Sequence, residues 1–446
     1  MNFLQSFSVS RARQGGFSLV EILAGMLIAL IGILVMTKVF SDSESAKRSV
    51  SSGGDAQANG GIASYTLGRE LRFAGYGLNG KEALGCHLKI HNEAGAVKDF
   101  EIDNFAPLTV FPAGQDAFLA VGVKLPAADA DTDMVMVAYG SADIMAEPVG
   151  FNDQTANPDA SKVGYGVQSR GSFTVGDIVL AAESGKNCAL FQVTSLPGAA
   201  DYCGVTDEGN SGVVRFSNGS FKNPYAATSC DSQVSDFNSD KALQTYSANG
   251  NVAKLYNLGR GLNIHVYAVR NGSLTSCDVM AMDCTKEASW IQIAPNIVNL
   301  QVRMGYDTTA VPDGAVDVFW NPWQKDGESK SFNAFPDELD GKTAACRASR
   351  VSAVRIGLVA RSNQFEKDIV TGTDAGAADA LKERGGIPSW QKNPLDAAAD
   401  PEHEVFALGD PEKDPAAKNW QNYRYRLFET ILPLRNMVWK GPDSGC

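Results

Sequence analysis

Histidines, cysteines and clustered carboxylates are the side chains from which a chemical site could be built here. Of the histidines His87, His91, His265 and His403, only the first two stand close together, in the stretch from Cys86 to His91. On an extended strand alternate residues share a face, so His87 and His91 could turn two imidazoles toward one metal ion. Surface histidines beside a disulfide cysteine are the favoured reading of the same residues. Asp129, Asp131 and Asp133 alternate as at the opening of a calcium loop, but Met134 occupies the sixth position, where the turn needs glycine. No glutamate falls at the twelfth position, so an EF-hand is excluded. The expectation is a solvated turn leading into a strand, ahead of a calcium loop of another kind. The chain has no G-x-S-x-G, no Walker loop, no H-E-x-x-H and no dinucleotide fingerprint. With no nucleophile set beside a base, a non-enzymatic role is expected, with no catalytic residue, no cofactor and no metal.

Aromatic residues offer little more. Trp320, Trp323, Phe332 and Phe335 would suit a carbohydrate or protein platform, yet packing beneath a loop calls for the same residues and is preferred. Tyr423, Arg424, Tyr425 and Arg426 alternate charge with aromatics, as a strand with an exposed basic face would. A formal net charge of -12 and a pI of about 4.9 argue against nucleic acid as a partner.

The cysteines are Cys86, Cys188, Cys203, Cys230, Cys277, Cys284, Cys346 and Cys446, and no two form a C-x-x-C. Zinc-ribbon and thioredoxin-type motifs are therefore absent. An even count behind an export signal reads as disulfides in an oxidising compartment, with Cys277 and Cys284 the best local pair because they close a short loop.

One carboxylate stands apart. Glu21 lies inside the apolar run from Phe17 to Phe40, whose 24 residues would span about 36 Å as a helix, enough for a bilayer core. A carboxylate in such a segment costs about 2.5–3.5 kcal/mol on insertion scales and calls for a partner. Arg11 and Arg13 precede the run, placing the amino terminus on the cytoplasmic side. Gly15-Gly16 also precedes it, and no small-x-small cleavage site follows it.

The elements that must carry these residues form an α+β chain: a long amino-terminal helix followed by a large, mainly antiparallel β-rich body. The helix is expected to continue past the membrane over 41–80, to weaken at Gly53-Gly54 and Gly60-Gly61, and to resume with a core-facing stripe of Ile62, Leu67, Leu71, Ala74 and Leu78. The body, 81–446, reads as short alternating strands separated by turns, with Asn271-Gly272 as a tight hairpin turn. Residues 363–422 form a polar stretch rich in Ala, Gly, Pro and Asp and are expected to be an insertion.

The segment RQGGFSLVEILAGMLIALIGILVM resembles the class III leader and first helix of type IV prepilins and type II secretion pseudopilins. The resemblance implies a leader of residues 1–16, cleavage by prepilin peptidase between Gly16 and Phe17, and N-methylation of Phe17. It also implies that Glu21 attracts the amine of a neighbouring subunit during filament assembly. Loss of Arg11 and Arg13 would take the formal charge from -12 to -14. LRFAGYG, GDIVLAAESGKNCALFQVTSL, IVNLQVRMGYDT, SAVRIGLVARS and YRYRLFETILPLRN resemble, in order, the PilW class of minor type IV pilins.

That class implies a subunit held in the inner membrane with a periplasmic body, which then primes or caps a pilus at its tip, at the cell surface, and supports twitching motility or adhesion. Its partners would be other minor pilins, the major pilin and a PilY-type tip adhesin. Two alternatives are a J-like type II secretion pseudopilin and a pilin-anchored surface adhesin.

Overall fold

The computed structural model describes residues 16, 18–78, 80–143, 147–152, 164–198, 202–205, 212–239, 244–247, 252–320, 339, 341–367, 369–372, 386–391, 394–395, 403–409 and 411–438. By internal packing the chain divides into residues 1–54 and 55–446. One helix, α1 (Leu19–Phe73), contributes to both. It contains no proline, so nothing interrupts its hydrogen-bond ladder. It runs through Gly53-Gly54 and Gly60-Gly61 without a break, which corrects the expected weakening there. A helical glycine costs only about 1 kcal/mol against alanine, too little by itself to end a helix.

Burial in the carboxyl-terminal part of α1 recurs at Ala56, Gly60, Ala63, Leu67 and Leu71, steps of three and four that draw one stripe along a helix, and Ala74, just past its end, continues it. Ile62, expected on that stripe, is exposed, and Ala63 takes its place. At Gly60 any Cβ would run into the ring of Phe428, so glycine is what lets helix and strand approach.

Among the described residues, three larger sheets and four two-stranded ones make up the body. The first holds β1 (Cys86–His91), β2 (Asp99–Phe105), β5 (Val149–Gly150), β6 (Ile178–Glu183), β7 (Cys188–Gln192) and β8 (Ala253–Asn257), in the order β2-β1-β7-β6-β8-β5. The second holds β3 (Leu108–Phe111), β4 (Met134–Gly140), β9 (Leu262–Arg270), β10 (Ser273–Asp278) and β11 (Ile291–Pro295), in the order β11-β10-β9-β4-β3. The third holds β12 (Ile297–Tyr306), β13 (Val318–Trp320), β14 (Val351–Arg361) and β17 (Tyr425–Pro433), in the order β13-β12-β14-β17. A hairpin of β15 (Ser389–Gln391) and β16 (His403–Val405) lies beside it. These pairings are antiparallel except that of β1 with β7.

Alternation along the strands sends neighbouring residues into different cores. On β4, Val135 and Val137 join the cluster shared with α1 and the third sheet, whereas Met134, Met136 and Ala138 face the cluster shared with the first sheet. On β6 and β7, Leu180 and Leu190 enter that second cluster, while Val179, Ala181, Ala189 and Phe191 face a third one with Phe151, Tyr165 and Phe216. β14 is buried along its whole length, as a strand covered on both faces must be. One cover is α1. The other comes from within the polar stretch 363–422, whose Trp390, Phe406 and Leu408 pack on Val298 and Val359.

Disulfides join Cys86 to Cys188 across the parallel pair, Cys203 to Cys230, and Cys277 to Cys284 after β10. Cys346 is disulfide-bonded as well, and Cys446 lies outside the described residues.

The acidic run becomes neither a solvated turn nor a calcium loop. Asp129 and Asp133 are buried. The Asp129 carboxylate accepts the backbone N–H groups of Asn271 (2.9 Å) and Gly272 (2.8 Å), pinning the β9–β10 hairpin, whose Asn271 and Gly272 both have positive φ. Asp133 accepts from Ala113 (2.9 Å) and Val302 (2.8 Å), stitching β12 to the loop before β4, and its burial pushes its pKa up to about 6. Only Asp131 reaches solvent. The acids are spent on backbone donors that would otherwise be buried unpaired.

Candidate assembly helix

The amino-terminal part of α1 is a hydrocarbon surface. From Leu19 to Ser51 its described side chains are exposed, and through Phe40 they are overwhelmingly Leu, Ile, Val, Met, Ala and Gly. By length and apolar composition this segment can cross a membrane. Charge returns just beyond, where Lys38 pairs with Asp42 (3.1 Å) and Glu44 with Arg48 (3.6 Å), both one turn apart.

Glu21 sits in the first turn, where the N–H of Glu21 and that of Ile22 both reach the Ser18 carbonyl (2.9 and 3.1 Å). An acid at this end opposes the helix dipole favourably. Its carboxylate is exposed, with no ion pair among the described residues. Gly16 is exposed with open space around its Cα. Phe17 and residues 1–15, hence most of the expected leader and the residue expected to carry the methyl group, lie outside the described residues.

The carboxyl-terminal part of α1 is fastened to the body by more than its apolar stripe. Glu70, buried, accepts from the Tyr139 hydroxyl (2.7 Å) and from Arg69 (3.0 Å), and its Oε2 lies 3.3 Å from Nδ1 of His265. These donors, His265 first, hold the Glu70 carboxyl down at about 2, and Glu70 in turn raises His265. At the end of the helix, Asn436 Nδ2 reaches the carbonyls of Arg72, Phe73 and Ala74 (3.2, 3.3 and 3.2 Å). Gly75, with φ +79°, then turns the chain away. Neither Glu70 nor His265 was singled out from the sequence. The available signal was a lone acid beside Leu67 and Leu71 on the stripe, and a lone histidine in an apolar strand.

The outer face of the third sheet carries a second polar assembly. Arg355, almost fully buried, donates to Glu429 through Nε (2.7 Å) and to the Gln391 carbonyl (2.7 Å), and its guanidinium lies 4.2 Å from the Trp390 ring centre. Arg303 packs against the same ring at 5.3 Å and pairs with Glu404, which also accepts from the Trp390 indole N–H (3.0 Å). Desolvation lowers the Arg355 pKa, offset by Glu429. Trp390 is thus a bolt between two cations, and the network is structural.

His87 and His91 do share a face of β1, but carboxylates already occupy it. His87 lies 2.5 Å from Asp103 and 2.9 Å from Glu101, and His91 lies 2.7 Å from Asp99. Among the described residues no group of three or more His, Cys, Asp or Glu side chains is arranged to hold a metal ion. Trp320 lies on β13 at the margin of the α1 core, while Trp323, Phe332 and Phe335 lie outside the described residues. Arg424 grips Glu366 through two nitrogens (2.6 and 3.2 Å), and of the late Tyr-Arg alternation only Arg426 is exposed.

Residues 266–436 match the family model of PilW, the type IV pilus-assembly protein W. This region resembles PilW. The match begins one residue after His265, takes in β12, β14 and β17, and ends at Asn436, so the PilW-like region contains the sheet on which α1 lies and the cap on the end of α1. It covers the blocks IVNLQVRMGYDT, SAVRIGLVARS and YRYRLFETILPLRN, while LRFAGYG and GDIVLAAESGKNCALFQVTSL fall outside it. The PilW-like region indicates involvement in type IV pilus assembly. No curated protein and no solved structure gives a significant match to the chain.

Proposed function

We propose that this protein is a minor pilin of a type IV pilus. In this reading prepilin peptidase cuts between Gly16 and Phe17, Phe17 is N-methylated, and the subunit waits in the inner membrane with its acidic body in the periplasm. Glu21 then meets the amine of an adjoining subunit as the apolar helix leaves lipid for a bundle of like helices. Two opposite charges in so poor a dielectric attract far more strongly than in water, and either one alone would be a costly buried ion. The observation that carries the reading is a single helix, apolar and exposed at one end and clamped at the other into a PilW-like sheet. A large body fits the filament tip, where neighbours do not crowd it, and the subunit there would prime or cap assembly beside other minor pilins, the major pilin and a PilY-type adhesin.

The test is Glu21→Gln in the full-length protein. Removing the charge spares membrane insertion but leaves a neighbouring amine unpaired on burial, at about 3–5 kcal/mol. Normal level and processing with poor recovery in sheared filaments is expected. Wild-type filaments and motility with this variant would overturn the assembly role, and an intact Met1 terminus on wild-type protein, seen by mass spectrometry, would overturn the leader.

A further inference from the structure

The third sheet ends in β17, and among the described residues no strand pairs with its outer edge. The phase of that edge is fixed. The Ser362 N–H donates to the Arg424 carbonyl and the Leu434 N–H to the Ser352 carbonyl, so even-numbered residues of β17 turn their backbone groups toward β14. The N–H and C=O groups of Tyr425, Leu427, Glu429 and Ile431 therefore point outward. Pro433, with no N–H, ends the row of outward donors.

Alongside runs a cleft of about 380 Å³, lined by Ser64, Tyr65, Arg69, Arg72 and Phe73 of α1 and by Thr430 and Leu432 of β17. Gly68 keeps its floor open. Even-numbered side chains of β17 face this side of the sheet, so a strand added to the edge would send alternate side chains into the cleft. Its charged lining residues are Arg69 and Arg72, both basic in a chain of net charge -12. Arg72 in the lining and Arg426, farther along β17 on the same even-numbered phase, are exposed and have no ion pair among the described residues, and the Tyr65 and Phe73 rings of the lining are also exposed.

We infer that β17 and the cleft beside it form a docking edge for an extended acidic segment of another protein, which adds to the third sheet as a fifth strand with its carboxylates over Arg72 and Arg426. Backbone pairing supplies the affinity and the cleft the selection of side chains. An occupant as acidic as the cleft is basic is the complementary choice.

The probe is a ten-residue peptide alternating glutamate with valine, titrated against the full-length protein in detergent micelles and compared with its lysine–valine counterpart. Saturating acidic peptide should slow amide hydrogen exchange at Tyr425, Leu427, Glu429 and Ile431 while leaving β14 unchanged. Arg72→Glu with Arg426→Glu, both at exposed positions, should weaken binding at least tenfold without shifting the melting temperature. Unchanged exchange at those four amides, equal binding of the lysine peptide, or full affinity in the double variant would each overturn the inference. Concentration-dependent protection of the edge without peptide would also overturn it, by showing that a second copy is the occupant.

Discussion

The Glu70 carboxylate and the His265 imidazole meet at 3.3 Å, joining α1 to β9 across 195 residues of chain. Tyr139 of β4 closes on the same oxygen. A charged pair at this depth holds the helix in one register on the body, because any axial slip of α1 would leave Glu70 facing apolar side chains.

That pair makes stability depend on pH in two directions. Glu70 falls from its ordinary 4.5 to about 2, so its contribution is complete above the ordinary carboxylate value and is lost as pH drops through about 2. His265 is raised above its ordinary 6.5, so its contribution is complete below 6.5 and is lost as pH rises through the raised value. The melting temperature should therefore decline above pH 6.5, and His265→Gln should flatten that decline. Glu70→Ala should cost about 3 kcal/mol, read by urea unfolding at pH 6. A His265→Gln protein with the wild-type alkaline decline would show that another group sets it.

The glycines of α1 should part company on substitution. Gly60→Val drives a side chain into Phe428 and should destabilise by about 1–3 kcal/mol, because the helix must lift from the sheet. Gly53→Ala and Gly54→Ala meet nothing and should each stabilise the helix by up to about 1 kcal/mol. Thermal melts of the three variants in one detergent make the comparison.

Trp390→Ala should be among the most damaging substitutions in the body, at about 3–5 kcal/mol. It removes a fully buried ring from between Arg303 and Arg355 and leaves both cations facing a void. Denaturant titration followed by circular dichroism measures it. A loss below 1 kcal/mol would mean that the β15–β16 layer is dispensable for folding.

The two characterised extremes of disulfide loop length should differ. In the chain-entropy account, opening the Cys86–Cys188 loop of 102 residues should cost about 5 kcal/mol and opening the Cys277–Cys284 loop of 7 about 2 kcal/mol. Calorimetry of Cys86→Ser/Cys188→Ser against Cys277→Ser/Cys284→Ser tests the ranking.

Local patterning alone was enough to determine the apolar helix that begins before Glu21, the alternating strands, and the Asn271-Gly272 turn, because each is decided by residues close to one another in the chain. Leu67, Leu71 and Ala74 were legible for the same reason: helical spacing puts them on one face whatever lies opposite. Tertiary structure decided everything that needed a distant partner. Asp129 and Asp133 read as a solvated turn until the backbone donors of Asn271, Gly272, Ala113 and Val302 arrive from elsewhere in the chain. Gly60 read as a weak point until Phe428 lay against it, and Glu70 carried no local signal that His265 and Tyr139 would enclose it. Trp390 lay in a stretch whose polar composition suggested an insertion, and only the bare outer face of β12 and β14 gave its ring a place to be buried. The physical reason is the same throughout. Hydrophobic periodicity is a local property of the chain, whereas the burial of a charge or a polar group depends on which remote donors can be brought to it.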